Sequence, residues 1–171
     1  MKIFNEKIKI IDQRFKENKA HYFLQCLMAT AAVMLILLTI DTMFKEVMIA
    51  SFGATAFSIF AMPHLRTSQG RSVMGGYAIG IVLGVVFNLL AEYFRAKFGW
   101  HFTYDVMGAA AVGLALLLMT MTNSEHPPAA GLALGLVLQG FQFSSIAIIY
   151  GSVMVLLLIK HLLRGWLINL Y

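Results

Sequence analysis

The sequence predicts an all-α fold, a polytopic membrane helical bundle of six apolar segments arranged as two three-segment pseudo-repeats. Three observations predict it. Of 171 residues, 60% are hydrophobic and only 12% charged, about half the ~25% charged share of a soluble domain; mean hydropathy is +0.78. The apolar residues gather in six runs separated by short polar stretches. Four of the runs reach roughly the 17 to 25 residues that a helix needs to cross a bilayer.

Ahead of the first run, residues 1–20 form a separate unit before the membrane domain, 21–171. Phe4, Ile8, Ile11 and Phe15 share one helical face while Lys2, Lys9 and Lys16 lie elsewhere. That pattern fits an amphipathic helix resting in the cytoplasmic headgroup layer, or a stub docked against its own bundle. The first apolar run, Tyr22 to Ile40, is read as a signal anchor: Ala29-Thr30-Ala31 has cleavage-site spacing, but the run continues well past it. Val73 to Ala91, Val106 to Thr122 and Phe143 to Leu163 are likewise long enough to span. Val47 to Met62 and Ala129 to Phe141 are short. They either cross as thin helices wrapped by longer ones or dip in and return; six crossings are the preferred reading.

The thirteen lysines and arginines orient the chain. With six crossings, ten fall on the side of the N-terminus and three on the other, which places both termini in the cytoplasm of a cell (inner) membrane protein. Re-entry of both short runs gives the same ratio, so charge does not fix the number of crossings. The net charge of +5 belongs mostly to this collar. It has no aromatic platform beside it, so lipid is the expected partner and nucleic acid is not. A single cysteine, Cys26, excludes an internal disulfide. His21, His64, His101 and His161 sit at segment edges without ligand spacing, so neither a metal nor a cofactor is expected. Trp100, Tyr104, Trp166 and Tyr171 suit aromatic belts.

Run lengths repeat as long, short, long, then long, short, long, the plan of an inverted-repeat transporter. Both short runs carry marks of a site. The first opens with Ser51-Phe52-Gly53-Ala54-Thr55 and ends at Pro63; the second follows Asn123-Ser124-Glu125 and opens with His126-Pro127-Pro128-Ala129-Ala130. A helix start leaves unpaired N–H groups and a partial positive charge, which in a dry place favours an anion. Gly53, Ala54 and Thr55 offer close backbone approach, and Ser51 and Thr55 add hydroxyls. In the second run, Asn123 or Ser124 is expected to cap the helix. Pro127 or Pro128 fits its first turn. His126 and the amides of Ala129 and Ala130 would then contact the anion, with His126 able to carry a proton and Glu125 beside it to tune or accept it. A rigid loop and helix cap without a ligand is the plainer alternative.

These residues resemble the HPP family of integral membrane proteins. His126-Pro127-Pro128-Ala129, after a glycine- and alanine-rich run ending in Leu118-Met119-Thr120, is similar to the family signature. Gly53-Ala54-Thr55, Pro63, Gln69-Gly70-Arg71 and Gly75-Gly76-Tyr77 are similar to its Gly-Ala-Ser, proline, Gln-Pro-Arg and Gly-Gly-His elements, in the same order. Thr55, Gly70 and Tyr77 depart from the serine, proline and histidine usual there, so a mechanism needing a second histidine is not expected. The resemblance covers about Tyr22 to Leu163. It implies a four-spanning description and, by association with members of photosynthetic organisms, nitrite transport. It also implies that some members carry a nucleotide-sensing CBS module, which this sequence lacks.

Other residues extend the candidate set. Gly76, Gly80 and Gly84 recur every fourth residue and let another helix come close, in the same chain or in a second subunit. Asn88 lies further along the same face and either bonds across helices or lines a path. Arg71 suits a planar oxyanion and also suits a cytoplasmic anchor. No nucleophile, base and orienter triad is apparent, so an enzyme is not expected. The expected function is a transporter or channel for a small monovalent anion, nitrite first, working as a homo-oligomer. The alternatives are transport of another small solute, or a non-transporting scaffold or accessory subunit assembled through the glycine stripe.

Overall fold

The computed structural model describes residues 17–39 and 46–170, with backbone alone for residues 29, 33, 35–39 and 46–48. The amphipathic reading of residues 1–16 and the belt role of Tyr171 lie outside the described residues. The described chain is helical: α1 (Lys19–Thr39), α2 (Glu46–Ala61), a 3-10 turn (Arg66–Ser68), α3 (Gly70–Phe98), α4 (Thr103–Met121), α5 (Pro127–Gln139) and α6 (Phe143–Leu163). Among the described residues, α3, α4 and α6 are long and apolar enough to cross a membrane, and two shorter apolar helices accompany them.

Local chemistry sets the helix limits. Pro63 lacks the N–H that a continuing α2 would need. At the end of α4, Asn123 adopts φ 53°; its amide donates to the Thr120 carbonyl at 3.3 Å, and the Ser124 amide donates to the Met119 carbonyl at 2.8 Å. This paired closure of the last turn is a Schellman motif, with asparagine at its left-handed position. Asn123 therefore finishes α4, and the N-cap of α5 is His126, which makes no side-chain cap bond. The expected cap by Asn123 or Ser124 is not formed. Gly140, at φ 75°, turns the chain out of α5 and into α6.

Successive helices run in opposite directions. Gln25, near the start of α1, donates from Nε2 to the carbonyls of Phe60 at the end of α2 and of Ile168 beyond α6. A Cβ on Gly108, early in α4, would meet Leu134 and Leu138 near the end of α5. Lys160, late in α6, donates to the Ser68 carbonyl just before α3 at 2.6 Å. Neither short helix folds back on itself.

The core forms where α5 packs among α3, α4 and α2. With 13 residues, α5 is about 20 Å long against ~30 Å of hydrocarbon. It sits inside the bundle: Pro128, Ala129, Leu132, Ala133, Gly135, Leu136 and Val137 are buried. Outward faces of α4 and α6 instead expose Leu116, Leu117, Met121, Met154, Leu158 and Leu162, as a lipid-facing surface requires.

The glycine stripe of α3 seats α5. A Cβ on Gly76 would stand 2.7 Å from the Cβ of His126, one on Gly80 would collide with the Ala129 carbonyl oxygen, and one on Gly84 would stand 2.7 Å from the Cβ of Leu136. The stripe's partner is thus within the chain, which removes it as the assembly surface of a scaffold. Asn88, four residues on from Gly84, donates from Nδ2 to the Val137 carbonyl at 2.9 Å. Val137 lies in the last turn of α5, where carbonyls lack helical partners. The two ends of α5 are therefore fixed on one face of α3.

Candidate functional site

Two loops meet at the end of the bundle that carries Arg66, Arg71 and Arg164. Arg66 bonds through Nη2 to the side-chain oxygen of Asn123, and its Nε lies 3.8 Å from Oε2 of Glu125. Arg71 donates to the Thr122 carbonyl at 3.3 Å, where a cation also complements the C-terminal end of α4. Ser124 and Thr122 share a hydroxyl bond of 2.7 Å. Both guanidinium groups thus grip the loop that leads into His126. Arg71 remains exposed.

Beneath this mouth lies a buried polar chain. His126 is fully buried. Its Nδ1 lies 2.8 Å from the Thr67 carbonyl oxygen, which only accepts, so Nδ1 carries the proton. Nε2 lies 3.0 Å from Oγ1 of Thr55, and Thr55 Oγ1 lies 2.8 Å from the Tyr77 hydroxyl. Tyr77 also donates to the Ser51 carbonyl at 3.3 Å. In the neutral ring, Nε2 therefore accepts from the Thr55 hydroxyl. Phe52 stacks against the Tyr77 ring, which itself tilts against the imidazole at 5.6 Å. Burial pushes the His126 pKa down to about 4, against a smaller opposite effect of the Thr67 carbonyl. Among the described residues, the fully buried polar set contains no lysine, arginine, aspartate or glutamate.

The structure brings together some of the expected residues and separates others. Ser51 and Thr55 face α5, with Ser51 Oγ 3.7 Å from where a Cβ on Gly131 would stand. They do not form a helix start, because α2 already runs from Glu46, and backbone N–H groups inside a helix are engaged within it. Gly53 and Ala54 fall on the exposed opposite face; a Cβ on Gly53 would touch nothing. The 100° step between helical residues separates them from Ser51 and Thr55. The amide of Ala129 is taken by the His126 carbonyl at 2.9 Å, and its methyl packs at Gly76 and Gly80. Pro127 is exposed, Pro128 buried and Ala130 half-buried. Asn88, spent on the far end of α5, stands ~18 Å along α3 from Gly76 at 1.5 Å per residue. It is a packing clamp outside the His126 cluster.

The family model of the HPP transmembrane region matches residues 15–169. The chain belongs to the HPP family. Two curated Dictyostelium discoideum proteins, named only as transmembrane proteins, are similar to it. One is 35% identical over 118 residues, covering 66% of this chain and 39% of that protein. The other is 29% identical over 116 residues, covering 64% and 35% respectively. The chain thus spans well under half the length of either relative. Neither the family description nor these names denote an enzyme. No solved structure matches.

In this HPP chain, the signature histidine starts the central helix and holds it to two other elements. Sequence reasoning missed Thr67, whose backbone carbonyl leaves no mark in the residue pattern, and Arg66, which reads as one more basic loop residue. Tyr77 was legible only as a departure from a family pattern. Its signal was a phenolic hydroxyl inside an apolar run, which must find a partner when buried.

Proposed function

We propose that this HPP chain is the translocating part of a transporter for a small monovalent anion, with nitrite the first candidate and no catalytic step. One observation carries the reading: the Thr67–His126–Thr55–Tyr77–Ser51 chain of hydrogen bonds runs from the mouth into the core where α2, α3 and α5 meet. Ionisable groups inside membrane proteins are expensive to bury and mark pathways. Arg66 and Arg71 give the mouth a positive rim suited to an arriving anion. Both ring nitrogens of His126 are engaged, so this arrangement is the closed one. An anion reaches the ring when the Thr55 contact opens. Glu125 holds Arg66 away from the path until then.

The inverted-repeat reading pairs α2 with α5, and these two short helices touch while running in opposite directions, with Thr55 at His126 and Ser51 at Gly131. The basic mouth is taken as cytoplasmic on the excess of lysine and arginine, with both termini on that side of an inner membrane. Assembly into a homo-oligomer then uses an outer face, since α5 fills the glycine stripe.

The test is uptake of nitrite, nitrate and chloride into proteoliposomes holding wild type or His126→Ala, each checked for helical content. Loss of uptake in a folded variant is expected. Undiminished uptake would remove His126 from the pathway, and absence of flux from folded wild type would overturn the transport reading.

A further inference from the structure

A monovalent anion that enters the buried cluster needs a countercharge there. The rim cations do not supply it inside. Arg66 serves Asn123 and Glu125, Arg71 serves the Thr122 carbonyl, and Lys160 of α6 serves the Ser68 carbonyl. Among the described residues, the groups linked to His126 through Nε2 are the Thr55 hydroxyl of α2, the Tyr77 phenol of α3 beyond it and the Ser51 carbonyl that follows, with Glu125 adjacent in its own loop. At the end of α4 the Thr122 hydroxyl bonds that of Ser124, two residues before His126. Of these buried groups, only His126 can become positive.

The hydrogen-bond chain accommodates that change without breaking. With a neutral ring, Thr55 donates to Nε2 and can accept from Tyr77. With a proton on Nε2, the ring donates to Thr55 Oγ1, Thr55 donates to the Tyr77 oxygen, and Tyr77 donates to the Ser51 carbonyl. Nδ1–H keeps the Thr67 carbonyl in both forms. The chain reverses its direction: on protonation the Tyr77 hydroxyl turns from Thr55 to the Ser51 carbonyl, while the His126–Thr55 and Thr55–Tyr77 bonds persist. A ring held for structure alone needs only one of these two arrangements.

We propose, resting on the anion-transport reading, that His126 binds the proton that travels with the anion, so that transport is an electroneutral symport of one proton with one monovalent anion. The proton comes from water on the side where the anion enters, occupies Nε2 while the anion is bound, and leaves to water on the other side with it. Burial keeps the ring neutral when the site is empty; an adjacent anion opposes that effect. By linkage, the proton raises anion affinity by the factor by which the anion raises proton affinity.

The experiment uses proteoliposomes with nitrite or nitrate outside and a trapped pH-sensitive dye, protein-free vesicles correcting for permeation of nitrous acid. One series imposes a proton gradient with the potential clamped to zero by potassium and valinomycin. Another imposes a potassium diffusion potential at equal pH. Expected is uptake driven by the proton gradient, insensitive to the potential, with one proton entering per anion. At subsaturating anion, uptake should rise by up to about tenfold per pH unit of acidification above the empty-site pKa. His126→Gln should abolish the proton dependence, and Thr55→Val should weaken it if the first variant does not fold. Uptake that follows the potential without protons would overturn the coupling while leaving transport standing. Proton-coupled uptake retained in folded His126→Gln would overturn the assignment to His126. No anion flux from folded wild type would overturn the transport reading and this proposal with it.

Discussion

Gly80 of α3 rests against the carbonyl oxygen of Ala129 in the first turn of α5, at a separation that leaves no room for a side chain. Because the obstacle is backbone, it cannot rotate away. Gly80→Ala should therefore lower stability by ~1–3 kcal/mol, the usual range for overpacking, and displace His126 as α5 moves off α3. Gly113→Ala is the control, since a Cβ there meets nothing and alanine favours a helix by up to about 1 kcal/mol. Thermal unfolding in detergent checks both. Equal melting temperatures would mean that α3 and α5 do not approach so closely.

Asn88 fixes the other end of α5 through the Val137 carbonyl. Interhelical side-chain bonds in membrane proteins contribute about 0.6 kcal/mol on average, with a maximum near 1.7. Asn88→Leu should lose an amount in that range while leaving anion uptake per folded molecule unchanged. A selective loss of uptake with intact stability would instead place Asn88 on the path.

Asn123 occupies the left-handed region at φ 53°. Asn123→Gly and Asn123→Val both remove the bond to Arg66, so the difference between them isolates the backbone. The valine variant should be less stable than the glycine variant by ~1–2 kcal/mol. Matching unfolding curves would show that the end of α4 is not held in this turn.

The His126 pKa, pushed from 6.5 down to about 4, makes stability depend on pH with a definite sign. The unfolded ring binds a proton more readily than the folded one, so stability is full above about pH 6.5 and falls as pH drops through the window down to about 4. At ~1.4 kcal/mol per pKa unit, the loss is on the order of 3 kcal/mol. Unfolding measured from pH 7 to pH 4 should show a decline in the wild type that His126→Gln flattens. A variant declining as steeply as wild type would assign the dependence elsewhere.

The sequence by itself determined the helices and their sites of interruption. The apolar runs fall on the observed helices, and Phe143 to Leu163 coincides with α6, because hydrophobic partition and helix limits depend on residues adjacent in the chain. Proline at the opening of α5 and the small-residue face of α3 were legible for the same reason. Only the tertiary structure decided what each polar residue does. Thr55 and Thr67 lie 71 and 59 residues from His126, and whether they meet it depends on which faces of α2, α3 and α5 pack together. The same packing turned Gly53 and Ala54 outward, sent Asn88 to the far end of α5 and gave the glycine stripe an intrachain partner. In an apolar medium, unpaired polar groups are costly, so the packing that pairs Thr67, His126, Thr55, Tyr77 and Ser51 also defines the candidate site.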